Sequence, residues 1–280
     1  MTALSDGEFA QLRTLLASSA GLVFDQSRRE ALGFCIAERL RATGSADVPA
    51  YLLLLDQPTE RQQLLDEVTI QETHFFRNPP QVRALREHVL PELVKAAAGT
   101  RRLRVWSAGC STGEEVYTIA ILLRESGLFD GWDRRVYGSD LSKRCVATAR
   151  RGIYGSASFR AMAADTKRKY FTERPDGAHI SEPIRAMCQF GQMNLLDGDK
   201  ARLMGRADAI FCRNVLIYFD AHARKRVIDI FHDRLFPGGV LLLGHAESLL
   251  NVSTAFELLH LKEDLVYKKP STDSRDPDYV

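Results

Sequence analysis

The segment Gly109-Cys-Ser-Thr-Gly113 follows a short apolar run, Leu103-Arg-Val-Trp-Ser-Ala108, and precedes Glu114-Glu-Val-Tyr117. Strand, glycine turn and helix form the local pattern by which a backbone approaches a ligand, because glycine has no Cβ to hold the ligand off. Three ligand classes compete for such a turn. A nucleoside triphosphate loop needs lysine after its second glycine, and Gly113 is followed by Glu114. A dinucleotide places pyrophosphate at the helix N-terminus, where Glu114 and Glu115 would repel it. A ligand without phosphate but with cationic groups fits better. S-adenosyl-L-methionine, with a sulfonium, an ammonium and a ribose diol, is such a ligand. The turn also has a local reading: Thr112-x-x-Glu115 matches a capping box on an ordinary helix.

Asp140 stands at the carboxyl end of a second apolar run, Arg135-Val-Tyr-Gly-Ser139. An acidic residue there bonds ribose hydroxyls in doubly wound folds, or it caps the helix that follows. Asn194 and Asn214 end two further runs, and their amides offer both donors and acceptors at the sheet edge where ligands bind. Each alone also suits a turn. The seven histidines show no metal-ligand spacing such as HExxH, so no metal is expected. The cysteines Cys35, Cys110, Cys145, Cys188 and Cys212 form no CxxC pair, which excludes a zinc knuckle or dithiol site and fits reduced thiols.

The elements that must position these residues divide into two textures. The first ~70 residues carry apolar side chains at helical spacing. Phe9, Leu12, Leu15 and Leu16 follow Ser5-Asp6 as a cap. A second helix is expected from Ser27, where Ser27-x-x-Glu30 matches a capping box, with Leu32, Ile36 and Leu40 as its stripe. Tyr51–Leu55 and then Leu64, Leu65 and Val68 mark two more. After the break at Asn78-Pro79-Pro80, a connecting helix is expected over 81–98.

From residue 100 strands alternate with helices, the signature of a parallel sheet covered on both faces. Strands are expected at 103–108, 135–139, 188–193, 207–212 and 240–243, with a final hairpin at 256–261 and 265–268. The stretch from Ile153 to Met193 is irregular and reads as an insertion holding a small hairpin. The expected organisation is a small all-helical domain over 1–75, a linker and connecting helix over 76–99, and an α/β domain over 100–269. That domain is a doubly wound, Rossmann-like sheet with a β insertion near 154–190. A flexible polar tail over 270–280 completes the chain.

Hydrophobic residues make up 45% of the 280 and charged residues 26%, which excludes a disordered or fibrous chain. The formal charge of +2 gives no nucleic-acid footprint. No apolar run approaches the ~20 residues that span a bilayer, and the N-terminus lacks a signal-peptide pattern. A cytoplasmic location, with neither nucleic-acid binding nor membrane insertion, is expected.

Four longer motifs carry a family resemblance: Val68-Thr-Ile-Gln-Glu-Thr-His-Phe-Phe-Arg77, Trp106-Ser-Ala-Gly-Cys-Ser-Thr-Gly-Glu-Glu115, Phe211-Cys-Arg-Asn-Val-Leu-Ile-Tyr-Phe-Asp220 and Gly244-His-Ala-Glu-Ser248. In this order they resemble the bacterial chemotaxis receptor methyltransferases, the CheR family. The resemblance covers nearly the whole chain. It implies a class I methyltransferase sheet and transfer of a methyl group from S-adenosyl-L-methionine to glutamate side chains of chemoreceptor signalling helices, by a monomer. Alternatives are a methyltransferase of the same fold acting on another protein or a small molecule, and a silent S-adenosylmethionine-binding regulator.

The resemblance also implies roles. Thr73 and Arg77 reach the cofactor from the inter-domain segment. Glu114 binds its polar end and Asp140 its ribose. Asn194 with Leu195, and Asn214 with Val215, line its adenine and methionine portions. Arg77 and Tyr218 face the reacting centre. Gln71, where relatives often have Asn, is a further cofactor contact. Arg28, Arg29, Arg39 and Arg41 on the second helix offer a basic face for receptor docking. Some relatives grip a receptor-tethered peptide at the β insertion. Here the insertion is shorter, Thr172–Gly177 forms a tight turn, and Pro175 lacks a backbone donor, so no tether is expected to be required.

Overall fold

The computed structural model describes residues 4–262 and 264–271. Four helices come first: α1 (Asp6–Ala20), α2 (Arg29–Thr43), α3 (Val48–Leu54) and α4 (Pro58–Val68). Ser5 and Glu8 close a reciprocal capping box on α1, and Gly21 ends it in the left-handed conformation. The expected box Ser27–Glu30 does not form. Asp25 instead caps a 3₁₀ turn over Gln26–Arg28, its carboxylate taking the N–H of Arg28 and the hydroxyl of Ser27, and α2 starts after that turn. Phe9, Leu12, Leu16, Leu32, Ile36, Tyr51 and Leu64 are buried together between these helices. This core ends at Val68, whereas Phe75 already packs in the second domain against Tyr154, Phe159 and Phe171. The helical unit therefore closes before residue 75.

The connecting rod runs as α5 (Pro79–Ala84), a π-turn at Leu85–Val89 and α6 (Leu90–Ala97). The expected single helix is thus interrupted. The π-turn lies immediately before Pro91, whose ring lacks an N–H and crowds the carbonyl four residues back in a regular helix.

The second domain holds β1 (Arg102–Ala108), α7 (Glu114–Glu125), β2 (Asp133–Asp140), α8 (Lys143–Arg151), β3 (Ile153–Tyr154), α9 (Ala164–Tyr170), β4 (Phe171–Arg174), β5 (Gly177–Ile180), α10 (Glu182–Arg185), β6 (Cys188–Gln192), α11 (Gly198–Leu203), β7 (Ala207–Cys212), α12 (Ala221–Arg234), β8 (Leu235–Leu243), β9 (Glu257–His260) and β10 (Leu265–Lys268). The seven-stranded sheet has the order β6-β2-β1-β7-β8-β10-β9. Its first five strands are parallel and the last two antiparallel. Order reverses between β1 and β7, so the carboxyl ends of β1, β2 and β7 frame the crevice where such sheets bind ligands. β8 begins earlier than expected, at Leu235, with an irregular register opposite Ala207–Ala209 that accommodates Pro237-Gly238-Gly239. The sheet buries apolar side chains on both faces, as a parallel sheet does.

The insertion is a separate three-stranded sheet, β3-β5-β4. Pro175 sits in the two-residue turn between β4 and β5, outside both strands. It therefore removes no donor from the open edge of β4, and that part of the case against peptide addition falls. Of the polar tail, residues 272–280 lie outside the described residues. No described helix is long and apolar enough to cross a membrane.

The helical domain is pinned over the carboxyl edge of the sheet. Buried Asp66 of α4 accepts the Lys143 N–H at the start of α8 (2.8 Å). Asn194 donates to Ser19 O (2.7 Å). Val23 N–H donates to Tyr218 O (2.8 Å), beside a β-bridge joining Leu22 to Phe219.

Candidate active site

The turn after β1 is built for close approach. Gly109 has φ +81°, and a Cβ there would stand 2.4 Å from a Val215 methyl. Gly113 has φ +96°, and a Cβ would meet Ala149 Cβ at 2.7 Å. Any other residue at either position would be strained and displaced. The N–H groups of Gly109 and Cys110 donate to Ser139 O at 2.8 and 2.9 Å, which folds the turn onto the end of β2. The proposed capping box of Thr112 and Glu115 is absent: Gly113 is the cap residue, and Thr112 instead donates to Glu114 (2.7 Å).

A cavity of about 270 Å³ opens between this turn, the inter-domain segment and the helical domain. Asp140 lines it. Its Oδ2 accepts the N–H of Ser111 (2.7 Å) and its Oδ1 that of Ser142 (2.9 Å). Burial pushes its carboxyl up, and these backbone bonds pull it back. Each oxygen keeps a lone pair for a ligand hydroxyl.

The two glutamates of the turn separate. Glu114 does not line the cavity. It is buried, accepts from Thr112 and from Ser158 (2.9 Å), and its carboxyl is raised by burial. Glu115 does line the cavity. It accepts from Ser107 Oγ (2.7 Å) and pairs with Arg213 at 2.9 Å. Of the two, it is Glu115 and not Glu114, the residue expected at the ligand's polar end, that reaches the cavity. Adjacent helical residues differ by about 100° in direction, and the packing of α7 on the sheet turns Glu114 inward beneath the insertion.

Thr73, Arg77, Asn194, Leu195, Asn214, Val215 and Tyr218 all line the cavity. Gln71 does not; its amide faces Asp66 O at 3.5 Å, back toward the helical domain. Asn194 divides its amide between the domains, donating to Ser19 O and accepting the Leu196 N–H (3.1 Å). Arg77 donates to Glu72 O (2.7 Å), and its own carbonyl accepts from Arg213 (2.8 Å).

Among the lining residues not singled out for the cofactor site from sequence, Arg213, Arg28 and His74 carry polar groups. Arg213 sits beside Asn214 and could have been found from that adjacency. Arg28 belongs to the expected docking face, yet it turns inward: it donates to Val23 O (3.0 Å), and its guanidinium lies 4.3 Å from the Phe24 ring centre and 5.3 Å from that of Tyr218. His74 also lines the cavity, and its Nδ1 is buried without a hydrogen-bond partner among the described residues. Burial first, then Arg160 and Arg77, hold its pKa below the ordinary value. Burial raises the Tyr218 phenol, and Arg28 and Arg77 only partly offset this, so Tyr218 is a neutral O–H donor at pH 7.

The other members of the expected docking face are also engaged within the protein. Arg39 forms a bidentate pair with Glu60 (2.9 and 2.8 Å), which also accepts from Tyr51. Arg29 donates to Leu4 O and pairs with Asp6. Arg41 alone is well exposed, paired with Glu38 on its own helix. The four arginines do not make one open surface.

The cavity is thus lined by the Asp140 carboxylate, the ion-paired Glu115 and Arg213, the guanidinium groups of Arg28 and Arg77, and apolar faces at Leu141, Leu195 and Val215. Buried polar atoms without partners, Ser111 Oγ and Arg213 Nε, belong to lining residues. Carboxylates for an ammonium and a diol, with apolar faces for a flat base, suit S-adenosylmethionine. No group of three or more potential metal ligands occurs among the described residues.

The model of the CheR methyltransferase SAM-binding domain matches residues 71–265, and that of the CheR methyltransferase all-alpha domain matches residues 7–69. Chemotaxis protein methyltransferase 2 of Vibrio cholerae is 32% identical over 272 residues, covering 95% of this chain and 94% of its own. The chemotaxis protein methyltransferase of Salmonella typhimurium is 34% identical over 266 residues, covering 91% and 88%. A probable biofilm formation methyltransferase, WspC of Pseudomonas putida, is 35% identical over 240 residues, covering 85% of this chain and 56% of its own. With both domain models matched in order along the chain, and the glycine turn, Asp140 and Tyr218 brought to one cavity, this protein belongs to the CheR methyltransferase family.

Proposed function

We propose that this protein transfers the methyl group of S-adenosylmethionine to glutamate side chains of chemoreceptors, forming methyl esters. The observation that carries the reading is the meeting within one cavity of Asp140, the Glu115–Arg213 pair, Arg77 and Tyr218. The carboxylates suit a cationic cofactor, and the guanidinium groups with the phenol suit an incoming carboxylate. The names of the chemotaxis relatives support chemoreceptors as the methyl acceptors.

S-adenosylmethionine, when bound, supplies an electrophilic methyl group on a sulfonium. Asp140 would hold the ribose diol through its free lone pairs, and Glu115 would face the ammonium. Thr73, Asn194, Leu195, Asn214 and Val215 complete the walls. A glutamate carboxylate has a reference pKa of about 4.3 and is ionised at pH 7, so no residue of this chain need act as a base. Arg77 and the Tyr218 hydroxyl would orient that carboxylate, and the gain in rate comes from alignment of the reactants. The protein works as a cytoplasmic monomer on receptor signalling helices, without a metal.

The test is methyl transfer from labelled cofactor to receptor-containing membranes. Label that appears on receptor and is released by mild base, as an ester is, supports the reading. Base-stable label, or none on receptor, overturns it. Asp140→Ala should weaken S-adenosylhomocysteine binding by about 1.5–3 kcal/mol, the range for hydrogen bonds to a charged group.

A further inference from the structure

Glu247 does not line the cavity, yet its carboxylate gathers four backbone N–H groups. Oε2 accepts from Gly244 (2.7 Å) and Asn214 (2.8 Å), and Oε1 from Val215 (2.9 Å) and Ile217 (3.3 Å). Two strand ends meet there, since Asn214 follows β7 and Gly244 follows β8. Close approach depends on Gly244: a Cβ at that position would stand 2.6 Å from Glu247 Oε2 and 2.8 Å from Asn214 N. The segment so held is irregular. Asn214 takes φ +59°, a conformation few residues other than glycine adopt.

We propose that Glu247 is the positioning residue of the cofactor cleft, its carboxylate folding Asn214–Ile217 into the wall against which the cofactor lies. The proposal rests on the reading that the cofactor occupies this cleft. Asn214, Val215 and Ile217 all line the cavity, and Val215 packs on Gly109 of the glycine turn. Tyr218 follows directly and lines the same cavity. A single carboxylate thus sets the spacing between the two loops and the place of the phenol. Its four donors are backbone N–H groups from the ends of two different strands, so one carboxylate holds both ends in a single arrangement.

Glu247→Gln tests this with little change in volume. Each carboxylate oxygen takes two N–H donors, so whichever way the amide is turned, its NH₂ faces two of them. In the unmodified protein the amides of Asn214, Val215 and Gly244 should exchange slowly with solvent deuterium although they lie in loops. In Glu247→Gln, exchange at these amides should accelerate while the helical domain is unchanged. S-adenosylhomocysteine binding by calorimetry should weaken about tenfold or more, as expected for lost charge-assisted hydrogen bonds. Fast exchange in the unmodified protein would overturn the proposal even if the variant did not fold. So would a folded variant that binds within about twofold of the original, too little for such bonds. Failure of the unmodified protein to bind S-adenosylhomocysteine would instead strike the cleft reading and leave the brace to be judged by exchange alone.

Discussion

Arg213 and Glu115 form an ion pair of 2.9 Å between the end of β7 and the first turn of α7, with only 10% and 15% of their side chains exposed. Arg213 also donates to Arg77 O, and Glu115 accepts from Ser107 of β1. One pair therefore ties two strand ends, a helix and the inter-domain segment into a single wall of the cleft.

Exchanging Glu115 for its neighbour gives a discriminating prediction. Glu115→Gln should weaken S-adenosylhomocysteine binding by about 1.5–3 kcal/mol, the range for hydrogen bonds to a charged group. Glu114→Gln should leave affinity nearly unchanged, because Glu114 is turned away toward Thr112 and Ser158. Calorimetric titration of both variants decides between them, and the reverse ranking would restore Glu114 as the ligand contact.

The arginines of α2 should separate by their roles in the fold. Arg39→Ala leaves Glu60 without its bidentate partner in a site where the two side chains are 14% and 13% exposed. A loss of about 3 kcal/mol in urea unfolding is expected, at the low end for breaking a buried pair. Arg41→Ala breaks only an exposed pair on one helix and should cost under about 0.5 kcal/mol. Equal effects would contradict the inward placement of Arg39.

His74 should make stability sensitive to mild acid. Its pKa lies below the ordinary 6.5, chiefly through burial and then through Arg160 and Arg77. The folded protein binds that proton less well than the unfolded chain does. The contribution is complete above pH 6.5 and is lost as pH falls from 6.5 through the lower folded-state value. An imidazole midpoint below 6.5 by NMR, with a urea midpoint that falls less on acidification in His74→Gln, is the expected result. A midpoint at or above 6.5 would contradict it.

The sequence by itself determined what depends on neighbouring residues. The sheet strands could be read because apolar runs alternate with glycine turns and helical stripes, and β7 falls where its run predicts. Gly109, Gly113 and Asp140 were legible because a glycine turn and a strand-ending acid have local reasons to exist. At the start of α2 the local pattern points to Ser27 while Asp25 makes the cap, since the 3₁₀ turn that decides it makes no separate mark in the sequence.

The tertiary structure decided everything that depends on direction or distance along the chain. Glu114 and Glu115 are equivalent as letters at a helix start, and only the rotation of α7 against the sheet sends one to Ser158 and the other to Arg213. Arg39 reads as a surface charge until α4 brings Glu60 to it. Gln71 shares a motif with Thr73 but faces Asp66 instead of the cavity. Glu247 lies thirty or more positions from the loop it holds, and three of its four hydrogen bonds arise only because β7 and β8 are neighbours in the sheet. Side-chain direction and non-local pairing come from packing the whole core, and no window of sequence contains that information.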